Sequence, residues 1–316
     1  MSNERNFSVA GYYKLQITDS KTGELKREVP WFPNLITNQG LNYIGNALGE
    51  WTAYCRVGAG SATPTVNDTG VQSVIGNAQG YSLGSTISGI TTEAPYFGWT
   101  RRSYVFPSDT VTGNLSELST GWGTDNSSAF SRTLITENGV PITITVLPED
   151  ILTVIYELRI YPKMMDQTSS VTINGIVHEV LSRAANITNA SFWGGELGKY
   201  DITYNVLGSS GGNSMVQWFN GYIGTEFSSP SGTGESSDST VDLPTSDEYL
   251  LDTFYRDFSF KIGVNKANYE TGIRSISWQM PSGLGKHQMQ FTPPIMKTNE
   301  NTLTLKLRYS WSRYVP

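Results

Sequence analysis

The sequence predicts an all-β chain of two tandem antiparallel β-sandwich domains, with one short helix in the first. Three observations lead there. Several long segments alternate apolar and polar residues with a period of two, Asn-Gly pairs separate strand-like runs, and the chain resembles itself at a fixed offset.

Taken in order, Val9–Ile17 and Leu25–Trp31 form the first expected hairpin, joined by the polar run 19–24. Pro30 and Pro33 should then end strand pairing, because proline lacks the ladder N–H. The expected helix is Asn38 to Leu48, with Leu41, Ile44 and Leu48 on one face, Thr37 as cap and Gly49 as stop. Gly40 and Gly45 inside it count against it. Gly58–Thr92 is rich in Gly, Ser, Thr and Asn and reads as loop.

Asn138-Gly139, between Ser131–Thr136 and Val140–Val146, suits a type I′ turn, which needs positive φ at both central residues. Asn220-Gly221, between Met215–Phe219 and Tyr222–Phe227, carries the same signal. Asp150–Tyr161 places Leu152, Val154, Tyr156, Leu158 and Ile160 on one face, with Glu157 and Arg159 on the other. Phe258, Phe260, Ile262 and Val264 repeat that pattern, as do Leu303, Leu305, Leu307, Tyr309 and Trp311. The segment Ser228–Thr240 has no periodicity and is expected to be a mobile surface loop.

Ile36-Thr37-Asn38 recurs as Ile187-Thr188-Asn189, and Glu28-Val29 as Glu179-Val180, both 151 positions on (187 − 36 and 179 − 28). Leu152-Thr153-Val154 aligns with Leu303-Thr304-Leu305 at the same offset, and Arg102–Phe106 resembles Arg256–Phe260 a few positions out of step. A duplication follows as the expectation, with residues 1–162 as one copy and 163–316 as the second. The length, 316 residues, independently suggests about two domains.

The balance of 22 basic and 28 acidic residues gives a net charge of −6, which disfavours phosphate backbones and anionic lipid. Nucleic acid and membrane are therefore not expected partners. The N-terminal residues lack the basic-then-apolar order of a signal peptide, and no apolar run reaches the ~18 residues of a spanning helix. The expectation is a chain made in the cytoplasm and kept soluble. Cys55, the one cysteine, allows no intrachain disulfide and no CxxC pair.

Chemistry is sparse. Gly80-Tyr81-Ser82-Leu83-Gly84 fits G-x-S-x-G, but that nucleophile elbow needs a buried strand before it and a helix after it, and here a loop is expected. His178 and His287 lack metal-ligand spacing and are expected on strand or loop surface. Glu149/Asp150 and Asp247/Glu248/Asp252 would serve a depolymerase only as a carboxyl pair about 5–9.5 Å apart; they read better as turns. Trp193, Trp218, Phe219 and Tyr222 stand beside turns and loops, where aromatics serve protein contacts or stack on sugars, and form the candidate interaction surface.

Read in order, Asn34-Leu35-Ile36-Thr37-Asn38-x-Gly40-Leu41, then Cys55-Arg56-Val57-Gly58-Ala59-Gly60-Ser61-x-x-Pro64, Ser131-Arg132-x-Leu134-Ile135 and Tyr156-Glu157-Leu158-Arg159-Ile160-Tyr161 resemble structural proteins of tailed bacteriophage virions. Pro293-Pro294-Ile295-x-Lys297-Thr298 and the closing Ser310-Trp311-Ser312-Arg313 are similar to the same group. The resemblance implies a β-rich virion part that assembles as a symmetric homo-oligomer and contacts other virion proteins. It carries over no catalytic residue and no cofactor. A ring or collar in the tail or neck is the first expectation; a host-glycan-binding adhesin or a capsid decoration protein is the alternative. Charged residues make up only 16% of the chain against a usual ~25%, as expected of a surface covered by neighbouring subunits.

Overall fold

A computed structural model describes residues 4–46, 49–81, 87–188, 198, 216–236, 245–279 and 286–315. The described part is mostly strand, with a single helix. The strands of the first half are β1 (Glu4–Asp19), β2 (Leu25–Pro33), β3 (Leu35–Ile36), β4 (Tyr54–Gly58), β5 (Val74–Tyr81), β6 (Ile87–Ile90), β7 (Gly98–Phe106), β8 (Gly113–Leu115), β9 (Glu117–Gly121), β10 (Ala129–Leu134), β11 (Thr136–Glu137), β12 (Val140–Pro141), β13 (Ile144–Val146) and β14 (Asp150–Pro162); helix α1 (Asn38–Asn46) lies between β3 and β4. Those of the second half are β15 (Gln167–Ile173), β16 (Ile176–Ala185), β17 (Val216–Phe219), β18 (Gly234–Ser236), β19 (Thr245–Ser246), β20 (Tyr255–Ile262), β21 (Ile273–Gln279), β22 (Lys286–Ile295) and β23 (Leu303–Arg313).

A 13-stranded sheet runs β19-β20-β23-β1-β14-β7-β5-β4-β9-β10-β3, with β2 beside β1 and β6 beside β7. Two corners bend it. β5 pairs with β4 through Val74–Gln79 and then with β7 at Gly80 and Tyr81. At the other corner β2 pairs with β1, and after Asn34 its continuation β3 pairs with β10. The Asn34 N–H donates to the Gly11 carbonyl at 3.1 Å, so the first half wraps around its own core. A second sheet, β15-β16-β22-β21-β17-β18, belongs to the second half.

The alternating strands behave as their periodicity predicts. Leu152, Val154, Tyr156, Leu158 and Ile160 are buried in β14, and Leu303, Leu305, Leu307, Tyr309 and Trp311 in β23. Phe258, Phe260 and Ile262 of β20 are buried too, whereas Val264 lies beyond the strand and is exposed. Phe260 packs on Trp278 of the six-stranded sheet at a centroid distance of 5.8 Å, so the faces of the two sheets share a core.

Asn138 (φ 51°) and Gly139 (φ 79°) turn the chain between β11 and β12 as expected. Helix α1 also forms where expected: Thr37 Oγ1 accepts the Gly40 N–H at 2.9 Å, and Leu41 and Ile44 are buried. Leu48 lies outside the described residues. The two glycines are there for close approach. A Cβ on Gly40 would sit 2.3 Å from the Phe130 carbonyl oxygen, and one on Gly45 2.6 Å from the Tyr249 ring.

Four expectations need correction. Strand β2 continues through Pro30 to Pro33, which is in register with Tyr12; only β1 pairs with it in the sheet, and an edge strand tolerates proline. Asn220-Gly221 makes no hairpin with the segment after it. Instead Asn220 Oδ1 accepts the Thr233 N–H at 2.8 Å, and β17 pairs with β18 and β21. The segment Gly58–Thr92 contains β5 and β6, because its polar residues alternate along paired strands. Likewise part of Ser228–Thr240 is strand β18; residues 237–240 lie outside the described set.

Strand β14 ends at Pro162, after which the chain enters the six-stranded sheet. The division is not one of separate sheets, since β20 and β23 return to lie beside β1. Strands β1 and β23 pair in parallel from Glu4↔Arg308 to Val9↔Arg313. Thr37→Ala should lower stability by about 1 kcal/mol through the lost cap, and Gly40→Ala by more, since its new methyl meets backbone; urea unfolding of both variants measures the order.

Candidate interaction surfaces

The outward face of β2, β1, β14 and β7 carries a cluster of charged and aromatic side chains. Its hub is Glu157, buried on β14. Its carboxylate accepts from Arg101 Nε of β7 and Arg159 Nε of β14, each at 2.5 Å. The register places Glu157 opposite Arg101 on one side and Tyr12 on the other.

Each arginine lies between aromatic rings. The Arg101 guanidinium is 4.5 Å from the Trp99 centroid and 5.2 Å from that of Trp31; Arg159 is 4.0 Å from Tyr12 and 4.6 Å from Phe97. Phe97 meets Tyr161 at 5.0 Å, and Tyr161 stacks on Tyr314 at 3.7 Å. Burial pushes the Tyr161 phenol up to about 12, against the opposing pull of Arg159, so Tyr161 is neutral near neutral pH. Trp31 remains 38% exposed. Two arginines held by a carboxylate and by aromatic rings suit contact with another protein surface, where Arg, Trp and Tyr dominate the energetics.

On the opposite wall of the first half, Arg132 (2% exposed) meets Glu117 (0%) at 2.8 Å and Asp68 at 2.5 Å. Glu117 also accepts backbone N–H groups of Gly60, Gln72 and Ser73. Burial would raise its carboxyl, but those N–H groups and Arg132 together hold it below the ordinary value. The ion pair therefore pins the loop 59–73 to β9 and β10.

Of the four aromatics expected at an interaction surface, Trp193 lies outside the described residues. Trp218 is wholly enclosed by its own chain and Phe219 is 7% exposed, both on β17. Tyr222 is exposed, with Arg274 4.8 Å from its ring centre. The sequence reading placed Glu157 and Arg159 together on the polar face of their strand; the signal it missed is the matching outward pair at i, i+2 on β7, Trp99 with Arg101.

His178 and His287 are buried on β16 and β22, not at the surface; Nδ1 of His178 is 2.6 Å from the Pro293 carbonyl, and the His287 ring packs on Trp278. Ser82 lies outside the described residues, and Gly80 and Tyr81 end strand β5. Asp150 is buried and bonded to Lys26 at 2.7 Å, with Asp19 on the same ammonium at 2.8 Å. Glu149 receives the Ser20 N–H on its carbonyl, and Asp247 is exposed, 4.0 Å from Lys306. Cys55 is buried, which pushes its thiol well above the usual range. Among the described residues no three His, Cys, Asp or Glu side chains cluster as metal ligands. Comparison with family models, with curated proteins and with solved structures finds no match to this chain.

Arg132→Met should cost about 3–5 kcal/mol, because it strands a buried carboxylate. Glu117 titrates below its unfolded value, so its contribution is full above the ordinary carboxylate range and is lost as pH falls through and below about 4.3. Thermal melts from pH 7 to pH 3 should therefore fall less steeply in Glu117→Gln than in the wild type.

Proposed function

We propose that the chain is a structural protein of a tailed-bacteriophage virion. It forms a homo-oligomeric ring or collar in the tail or neck and contacts other virion proteins. The observation that carries this reading is the arginine–aromatic face of β2, β1, β14 and β7, which offers contact chemistry on a broad sheet. The phage-like phrases support it from the sequence side, and several of them fall on strands that build this half: Tyr156–Tyr161 on β14, Cys55–Gly58 on β4 and Ser131–Leu134 on β10.

The same proposal includes two β-sandwich units, 1–162 and 163–316, related by duplication. Its support is topological as well as sequential. In the first half β3-β10-β9-β4-β5 are neighbours in that order, and in the second half β16-β22-β21-β17-β18. The remaining layer pairs β7 with β14 in the first half and β20 with β23 in the second, both antiparallel. All seven strands follow the same chain order in the two halves. Two similar units per subunit let n subunits offer 2n related surfaces, which helps rings of different symmetry to meet.

Native mass measurement tests the reading. The wild type should be a closed oligomer, and Trp31→Ala with Arg159→Ala should weaken its association by at least about tenfold, the effect of losing ~1.4 kcal/mol at the contact. A wild type that stays monomeric at every concentration, or a purified virion lacking the protein, would overturn it.

A further inference from the structure

The geometry points to a binding site for a neutral sugar ring in the cleft where α1, the loop after β4 and the loop before β20 meet. This goes beyond the assembly reading and uses none of its residues. The cleft measures about 360 Å³, within the range of small-ligand sites, and Gln39, Asn42, Asn67, Thr69, Asp252 and Phe254 line it.

What distinguishes it is that its amides are held in one orientation by bonds to one another and to Arg313, Tyr249 and Ala129 behind them. Arg313 donates to Asn38 Oδ1 at 2.6 Å, so Asn38 Nδ2 donates to Asn67 Oδ1 at 2.9 Å, which leaves Asn67 Nδ2 as a donor for a ligand. Gln39 Nε2 donates to the carbonyls of Thr69 and Ala129, both at 3.1 Å, which leaves Gln39 Oε1 as an acceptor. Asn42 Oδ1 accepts from Tyr249 Oη and the Asp252 N–H, and Asn42 Nδ2 donates to Asp252 Oδ1 at 2.8 Å, leaving Asp252 Oδ2 as a second acceptor. The loop is fixed as well, since the Asn38 N–H donates to the Val66 carbonyl at 2.7 Å.

The cleft thus offers one donor, two acceptors, the Thr69 hydroxyl and the Phe254 ring. A group that both donates and accepts at neighbouring positions fits this set, and vicinal hydroxyls on a pyranose do so, with the ring's C–H face against the aromatic. An anion is repelled by Asp252, and a fully apolar ligand would bury these polar atoms without replacing their bonds to water.

Saturation-transfer NMR with a panel of methyl glycosides of glucose, galactose and mannose, at millimolar concentration on the full chain, tests this. At least one glycoside should bind. Asn67→Ala and Gln39→Ala should each weaken it about fivefold to tenfold while circular dichroism is unchanged, and Tyr222→Ala, on another part of the chain, should bind as the wild type does. No transfer from any glycoside, or transfer that survives both cleft substitutions, would overturn the proposal. Neither result bears on the oligomeric state, so failure here and failure of the assembly reading are separable.

Discussion

The joining of the last strand to the first strand and the helix leans on where Trp311 sits. It is 3% exposed on β23, opposite Phe7 of β1 across the parallel ladder, with ring centroids 6.2 Å apart. Its indole N–H donates to the Leu41 carbonyl of α1 at 2.7 Å, its backbone N–H donates to the Phe254 carbonyl, and its ring lies 5.6 Å from Tyr249. One residue therefore ties the last strand to the first strand, to the helix and to the loop that precedes β20. Arg313 extends the tie, donating to the Ile36 carbonyl and to Asn38. Strand β1 is the other side of this constraint. It carries β14 on one edge and shares the other between β2 and β23, so the core of the first half and the returning strands of the second meet along its length.

Polar groups inside the first half are paired in a way that makes the packing specific. Tyr13 Oη lies 3.2 Å from both Thr120 Oγ1 and Ser131 Oγ, and Asn34 Nδ2 donates to Tyr156 Oη at 3.3 Å. Burial pushes the Tyr156 phenol up to about 12. These hydroxyls stay neutral, and each bond they make ties one wall of the wrapped sheet to another. Glu117 does the same with charge: it collects N–H groups from a loop that has little apolar surface to hold it down. The loop 59–73 then presents Asn67 and Thr69 at a fixed place beside α1.

Much of this was legible in the sequence, and what was legible follows from local physics. Leu152–Ile160 and Leu303–Trp311 were readable because each strand has one buried face. Asn138-Gly139 was readable because positive φ is a property of the turn itself, and Asn174 with Gly175, at φ 50° and 80° between β15 and β16, is the same signal again. Asn220-Gly221 misled because its residues meet a non-local need: Gly221 is small so that the Ser231 carbonyl can lie 2.2 Å from where a Cβ would stand. His178 and His287 each bond to a carbonyl more than a hundred positions away, those of Pro293 and Arg183. The parallel pairing of β1 with β23 joins residues some 300 positions apart, and no periodicity announces it. The arginine–aromatic face was half visible as the alternation of Glu157 and Arg159 in β14, but its unity arises only when four strands are set side by side.

If β1 and β23 do join the halves into one body, disturbing their contact should be felt on both sides of residue 162. Hydrogen exchange on Trp311→Ala measures this directly. Protected amides of β14 in the first half and of β22 in the second should lose protection together. Loss confined to one half, with the other as slow to exchange as in the wild type, would contradict it.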